Sequence, residues 1–306
     1  MVVSAAAQTW PARTVRIVVP FPPSGGADAM ARMLATRLAE HTSGSFIVDN
    51  RPGGGGIVAA EFVARAAPDG HTLLMAATEF GTNPAVRPKL PYDAFNDFAH
   101  LSLLATLQNL LASHPAVPAK NVKQLIAIAK SRPERLTYGS TGTGGGPHLA
   151  GELLQIMSGM RWTHIPFKGA AVASIALLGG EIDFMFSSTT GLLPHVKSGK
   201  ARAIAVTGDR RFPELPDVPT VAESGVPGYS VLGWYGFSAP VGVAPALARR
   251  MHNATIAAMS LSDDKEKLAR LGVDLVMSSP EEHVAFLRAE VVKWTKVVKA
   301  ANLRIE

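Results

Sequence analysis

Residues 15–28 read Val15-Arg-Ile-Val-Val-Pro-Phe-Pro-Pro-Ser-Gly-Gly-Ala-Asp28, and residues 136–147 read Leu136-Thr-Tyr-Gly-Ser-Thr-Gly-Thr-Gly-Gly-Gly-Pro147. Each stretch begins as a run suited to a strand, breaks into a loop of glycine and small residues, and then opens a helical pattern. After the first loop, Met30, Met33, Leu34, Arg37 and Leu38 recur at helical spacing, with Asp28 in the first turn, where a helix dipole favours an acid. After the second, Pro147 sits where proline suits the first helical position, and the helix is predicted to run to Met157. Strand, glycine loop and helix form the unit of this chain, and the unit is used twice.

Outward from the first unit, strands are predicted at 46–49 and 71–77, with Gly53-Gly-Gly-Gly56 and a helix over 57–66 between them. That alternation predicts a parallel sheet with covered faces. Around the second unit, Asn121 is a candidate N-cap for a helix over 122–130. Strands follow at 162–167, 182–187 and 201–207, with a helix over 170–178. Two apolar segments, 98–115 and 229–240, separate these units and are predicted to cross from one lobe to the other. The chain then turns helical, over 245–260 and 263–271, with a third helix opened by Ser279-Pro-Glu-Glu282. Ser279 and Glu282 make a capping box, with Pro280 at the first helical position. Leu287, Val291, Trp294 and Val298 mark that helix's buried stripe. Two crossings predict an α/β fold of two lobes hinged as a clamp. Lobe I takes residues 10–105 plus 232–306, and lobe II takes 106–231.

Composition narrows the function. The chain has 306 residues, 47% hydrophobic and 18% charged, a balance that belongs to a folded protein rather than a disordered one. It has no cysteine, which excludes thiol catalysis, cysteine-ligated zinc, iron–sulfur clusters and disulfides. The net charge is +6, but the basic residues are scattered (Arg13, Arg16, Arg32, Arg37, Arg51, Arg65) rather than clustered with aromatics. This favours a surface mildly attractive to anions over a nucleic-acid groove. No apolar run reaches the ~18–20 residues of a membrane span. Ala5-Ala-Ala-Gln8 resembles a small-residue cleavage site, although no basic region precedes it. The expectation is the stub of a truncated export signal; a frayed terminus is the alternative.

Both glycine loops leave the end of a strand and open a helix. The first amides of a helix have no internal partner, its dipole favours negative charge there, and glycine lets a ligand approach the backbone. In an open α/β sheet such loops lie where ligands bind. Facing one another across two lobes, they would suit a carboxylate. Neither loop is a P-loop, since no Gly-Lys-Ser/Thr follows, and Gly142-Thr-Gly144 does not complete a dinucleotide fingerprint. There is no G-x-S-x-G elbow and no H-E-x-x-H. In Ser262-Asp-Asp-Lys265, Ser262 reads as a helix cap rather than a nucleophile. Three positions stay open. His148 suits either cleft contact or packing. Asp183 suits either a ligand amine or hydroxyl, or neighbouring backbone amides. Trp234 and Tyr235 suit either the core or a cleft wall.

The ordered landmarks also resemble the Bug-type extracytoplasmic receptors of tripartite tricarboxylate transporters. They are Pro20-Phe-Pro-Pro-Ser-Gly-Gly-Ala-Asp28, Asn50-Arg-Pro-Gly53, Pro68-Asp-Gly70, Leu90-Pro-Tyr-Asp93 and Tyr138-Gly-Ser-Thr-Gly-Thr-Gly144 with His148-Leu149. Ile165-Pro-Phe-Lys-Gly169, Gly180-Glu-Ile-Asp183 and Leu215-Pro-Asp-Val-Pro-Thr-Val-Ala-Glu223 follow, then Gly225 and Pro227-Gly228. The resemblance runs from about Trp10 to the C-terminus. It implies a periplasmic, type II-like Venus-flytrap receptor, monomeric and without cofactor, metal or catalysis. Such a receptor delivers a small carboxylate to the membrane permease subunits of a tripartite transporter. Carried onto matching positions, its ligand contacts are Phe21, Ser24, Gly25, Gly26 and Ala27, with Thr78 and Glu79 after the third strand. Lobe II offers Ser140, Gly142, Thr143, His148, Lys168, Gly169, Ala170 and Asp183. Two departures stand out. Ser24 occupies a position where glycine is common, and Ile57-Val-Ala59 replaces a common Asn-Ile-Gly. An α/β enzyme acting on a carboxylate, and a sensory receptor for the same ligands, are the rival readings.

Overall fold

Val15, Ile17, Val18 and Val19 are wholly buried, as a central strand covered on both faces requires. They form β1 (Val15–Val19), which lies parallel to both β2 (Phe46–Asn50) and β3 (Thr72–Ala77). The computed structural model describes residues 10–303 except Ser24, Leu261 and Leu271. The expected cleavage site at 5–8 and the candidate Ser24 lie outside the described residues. Helix α1 (Gly26–Thr42) buries Ala27, Met30, Ala31, Leu34, Ala35 and Leu38, one stripe at three- and four-residue spacing. α2 (Ile57–Ala64) and α3 (Thr78–Val86) complete the first set of βα units.

The chain then enters β4 (Phe98–Ser113), a 16-residue strand that belongs to both halves of the sheet. Residues 98–108 pair antiparallel with β9 (Leu232–Pro240), and residues 109–113 pair antiparallel with β7 (Phe184–Ser188). Between them run α4 (Val122–Ser131), β5 (Thr137–Ser140), α5 (Gly146–Ser158), β6 (Thr163–Pro166) and α6 (Ala170–Leu178). After β7 come α7 (Thr189–Lys197) and β8 (Arg202–Val206). The C-terminal part adds α8 (Pro245–Met259), α9 (Ser262–Arg270), β10 (Val273–Leu275) and α10 (Pro280–Ala300). The strand order is β2-β1-β3-β9-β4-β7-β5-β6, with β8 and β10 also on β4. Of the two segments expected to cross, 98–115 holds β4, which pairs in both halves, and 229–240 holds β9, which pairs only in the first half. Their antiparallel pairing makes the sheet mixed, not wholly parallel as the alternation suggested.

Where the halves meet, three backbone segments share hydrogen bonds. Thr207 donates its amide to the Asn109 carbonyl at 2.9 Å and its hydroxyl to the Val231 carbonyl at 2.6 Å. The Val231 amide donates to the Thr207 carbonyl at 2.8 Å.

Ser279 caps α10 and Glu282 returns the capping box, as its sequence predicts. This helix does not stay in one half. Leu287 packs with Trp234, Phe80 and Leu103 of the first, whereas Trp294, Val297 and Val298 join Leu149, Leu154 and Tyr229 of the second. Val86 at the end of α3 also belongs to that second cluster. The last turns of α10, within the 232–306 part expected in lobe I, thus pack on both halves together. The expected stripe is otherwise sound, with Leu287, Trp294 and Val298 buried and Val291 partly so.

Candidate functional site

Among the described residues six helices that follow a strand start with no side chain capping their first amides, and four of them bear on the junction of the halves: α1 after β1, α3 after β3, α5 after β5 and α6 after β6. By contrast, Ser188 caps α7 and Asn121 caps α4. An uncapped helix start leaves amides seeking an acceptor and a positive dipole end.

The four starts are neighbours. A Cβ placed on Gly146 would lie 3.2 Å from the Thr78 methyl, and one on Gly145 would lie 3.8 Å from Glu79 Oε1. So α3 and α5 meet end to end across the two halves. A Cβ on Gly26 would lie 2.5 Å from the Tyr235 hydroxyl oxygen, which brings β9 against the start of α1. The start of α6 adjoins the α5 loop, because the Phe167 amide donates to the Ser140 carbonyl at 3.1 Å. Nothing within 4 Å would meet a Cβ on Gly169, whose φ of +107° suits glycine.

Each loop is held from behind. Asn50 Nδ2 donates to the Phe21 carbonyl and to Asp28 Oδ1, both at 3.0 Å, while Arg32 Nε donates to Asp28 Oδ2 at 2.9 Å. In the second half the support is a histidine pair. The rings of His148 and His164 stack at 3.8 Å, 15° from parallel. His148 Nδ1 accepts the Gly144 amide at 2.9 Å, and His164 Nε2 lies 2.7 Å from Ser140 Oγ. Ser140 Oγ accepts the Gly142 amide at 3.2 Å. Burial lowers the His148 pKa to about 4. Burial, then the charge of His148, lowers that of His164 to about 3. Both rings are neutral at physiological pH, and His148 accepts from the loop as only a neutral ring can. Burial also raises the Glu152 and Tyr138 pKa values beneath this stack. There the Tyr138 hydroxyl donates to Glu152 Oε1 at 2.6 Å.

The candidates separate accordingly. Gly25, Gly26, Ala27, Thr78, Glu79, Gly142, Thr143, Lys168, Gly169 and Ala170 cluster at the four helix starts and their loops. Phe21 enters through its carbonyl, which Asn50 occupies. Ser140 and His148 are buried, with side chains spent on loop amides. Asp183 stands apart from this cluster. Thr137 donates its amide (2.8 Å) and hydroxyl (3.0 Å) to Asp183 Oδ2. Thr137 is the first residue of β5, and Ser140 the last. Asp183 therefore lies at the amino ends of β5 and β7, opposite the loops, and its carboxylate stitches the strands together. Of the two aromatics left open, Trp234 is fully buried, and Tyr235 keeps 9% exposure beside Gly26. Sequence reading missed Asn50 as a loop anchor, and also His164 and Thr82, whose hydroxyl donates to the Gly144 carbonyl. Only the Asn50-Arg-Pro-Gly53 landmark pointed at any of them.

A surface depression of about 310 Å³, lined in part by Arg87, Leu90, Tyr92 and Asp93, shares no residue with this cleft. Its Tyr92 ring stacks on Phe80 of α3 at 5.6 Å, so the Leu90-Pro-Tyr-Asp93 landmark buttresses the helix that carries Glu79. Among the described residues no cluster of three or more His, Asp or Glu is placed to hold a metal, and no helix is long and apolar enough to cross a membrane.

The same architecture occurs in solved structures of two-lobed receptors. The chain is 34% identical to R. palustris Rpa4515 with adipate, covering 96% of this chain and 99% of that one, with a TM-score of 0.88. It is 31% identical to the periplasmic binding protein BugD, covering 97% and 100%, with a TM-score of 0.85. MatC from Rhodopseudomonas palustris with bound malate is 31% identical, covering 94% and 100%, with a TM-score of 0.83. Residues 30–303 match the model of the tripartite tricarboxylate transporter family receptor. With nearly the whole chain covered and the two-lobed fold shared, the protein belongs to the family of tripartite tricarboxylate transporter receptors.

Proposed function

We propose that this protein is a periplasmic receptor that closes its two lobes on a small carboxylate, leaves it chemically unchanged, and hands it to the membrane permease subunits of a tripartite transporter. The observation that carries the reading is the meeting of uncapped helix starts, α3 against α5 and α1 against Tyr235, in one cleft. Such a site offers amides and positive dipole ends to an anion, without a cofactor or nucleophile. The adipate in Rpa4515 and the malate in MatC support the ligand class. Contacts come from the backbone of Gly25–Ala27, from Thr78 and Glu79, and from Gly142, Thr143, Gly169 and Ala170. Lys168 adds an exposed cation beside them. Ser140 and His148 hold the loop rather than the ligand.

The hinge lies where β4 and β9 cross, near residues 105–109 and 231–232, and the protein acts as a monomer. Mass spectrometry of small molecules released from freshly purified, denatured protein tests the reading. One carboxylic acid, close to equimolar and recovered unchanged after incubation with refolded protein, is the expected result. Turnover of that acid would favour the rival reading of an enzyme, and a released compound without a carboxylate would contradict the ligand class.

A further inference from the structure

The cleft is rich in donors and poor in acceptors. Helix starts present amides, the Ser140 hydroxyl is engaged with His164, and the Thr78 hydroxyl accepts the Trp234 amide at 3.1 Å. With Asp183 placed elsewhere, the described acidic side chains in the first turns of these helices are Glu79 on α3 and Asp28 on α1. Glu79 Oε1 lies 3.8 Å from where a Gly145 Cβ would be. No described cation forms an ion pair with it. On β9, Tyr235 pairs with Ala77, two residues before Glu79, and burial, then the charge of Glu79, raises the tyrosine pKa above its ordinary value. The start of α5 brings only Gly145 and Gly146. On α1, Asp28 is paired with Arg32 and Asn50. On α10, which packs against α3 at Gly81, Glu290 is paired with Lys293 and with Trp294 Nε1.

We propose that Glu79 enters the complex as a neutral carboxylic acid donating a hydrogen bond to the bound carboxylate, so that the cleft selects acids without an ammonium group and takes up one proton per acid bound. This rests on the carboxylate-receptor reading. Two carboxylates in one desolvated site do not both ionise. The ligand's charge is supported by helix starts on both sides, so Glu79 is the partner that yields, taking its proton from the buffer. Burial already raises its pKa before a ligand arrives, against the opposing pull of its own amide. An ammonium group brings three donors, and this cleft has too few acceptors to meet them.

The test is calorimetric titration with matched pairs: succinate and aspartate, glutarate and glutamate, adipate and 2-aminoadipate. Wild type and Glu79→Gln are titrated from pH 6 to 8.5 in two buffers of different ionisation heat. In the pair that fits, the plain acid should bind wild type at least tenfold tighter. At pH 8 close to one proton should be taken up, with affinity falling roughly tenfold per pH unit. Glu79→Gln, whose amide also donates, should bind within about threefold of wild type at pH 6 and show no proton uptake. The wild-type proton count stands even if the variant folds poorly. Tighter binding of the amino acid, lost in Glu79→Gln, would overturn the proposal, as would a plain acid bound without proton uptake. If neither member of any pair binds, the carboxylate reading itself fails and carries this one with it.

Discussion

The Thr82 hydroxyl donates a hydrogen bond to the Gly144 carbonyl at 3.3 Å, joining α3 of the first half to the glycine loop of the second. Gly144 is held on its other side too, through its amide to His148. The loop that opens α5 is thus positioned by both halves at once, so the proposed closure of the cleft would also set its amides. Thr82→Val keeps shape and removes the donor. It should weaken acid binding by about 0.5–1.5 kcal/mol while leaving the fold intact. Unchanged affinity by calorimetry would show the link to be incidental.

Two glycines of the candidate site resist a side chain. Gly142 has φ +142°, a backbone that other residues avoid, and Gly26 has the Tyr235 hydroxyl where a Cβ would go. Gly142→Val should cost at least tenfold in affinity in a protein that still folds. Gly26→Ala should do likewise, and adding Tyr235→Phe should recover part of the loss by making room. Wild-type affinity in folded Gly142→Val would remove this loop from the site.

Asp183 separates support from binding. Asp183→Ala leaves the Thr137 amide and hydroxyl without their acceptor. A cost of about 1–3 kcal/mol in unfolding free energy is expected, with little change in ligand preference. A change in preference at unchanged stability would return Asp183 to the cleft.

The buried histidines set the acid limit. Burial lowers His100 and His148 to about 4, and His164 and His283 to about 3. The unfolded chain titrates near the usual ~6.5 and so binds more protons than the folded one below that pH. Stability is therefore full above about pH 6.5 and is lost progressively as pH falls toward 4. Urea midpoints measured between pH 7.5 and 4.5 should fall steadily. His164→Asn should flatten part of the slope. A flat profile would mean that these rings are not neutral in the fold.

The repeated strand–loop–helix unit was legible because its parts agree locally: buried β-branched runs, glycine loops, Pro147 at a helix start, and a capping box at Ser279. α3 was not. Its Gly81, Asn83 and Pro84 are poor interior helix residues. Packing decides there: Gly81 admits Trp234 and Leu287, and Asn83 Nδ2 donates to the Gly55 carbonyl at 2.9 Å. α7, with Gly191 and Pro194 inside it, was missed for the same reason. Asp183 stood open in the sequence between a ligand contact and a backbone anchor, and only the resemblance set it among the ligand contacts. Strand direction sends it to the end of the sheet opposite the loops. No periodicity could reveal that His148 and His164, on α5 and β6, stack face to face.

The central claim is that backbone amides of the helix starts hold the acid between the lobes. Amide proton and nitrogen shifts of the labelled protein, recorded with and without the acid released from the native preparation, test it most directly. The claim predicts the largest shifts at residues 25–27, 78–79, 142–146 and 169–170, from both halves together and saturating at one acid per chain. Shifts confined to one half, or centred on the 84–95 depression, would contradict it.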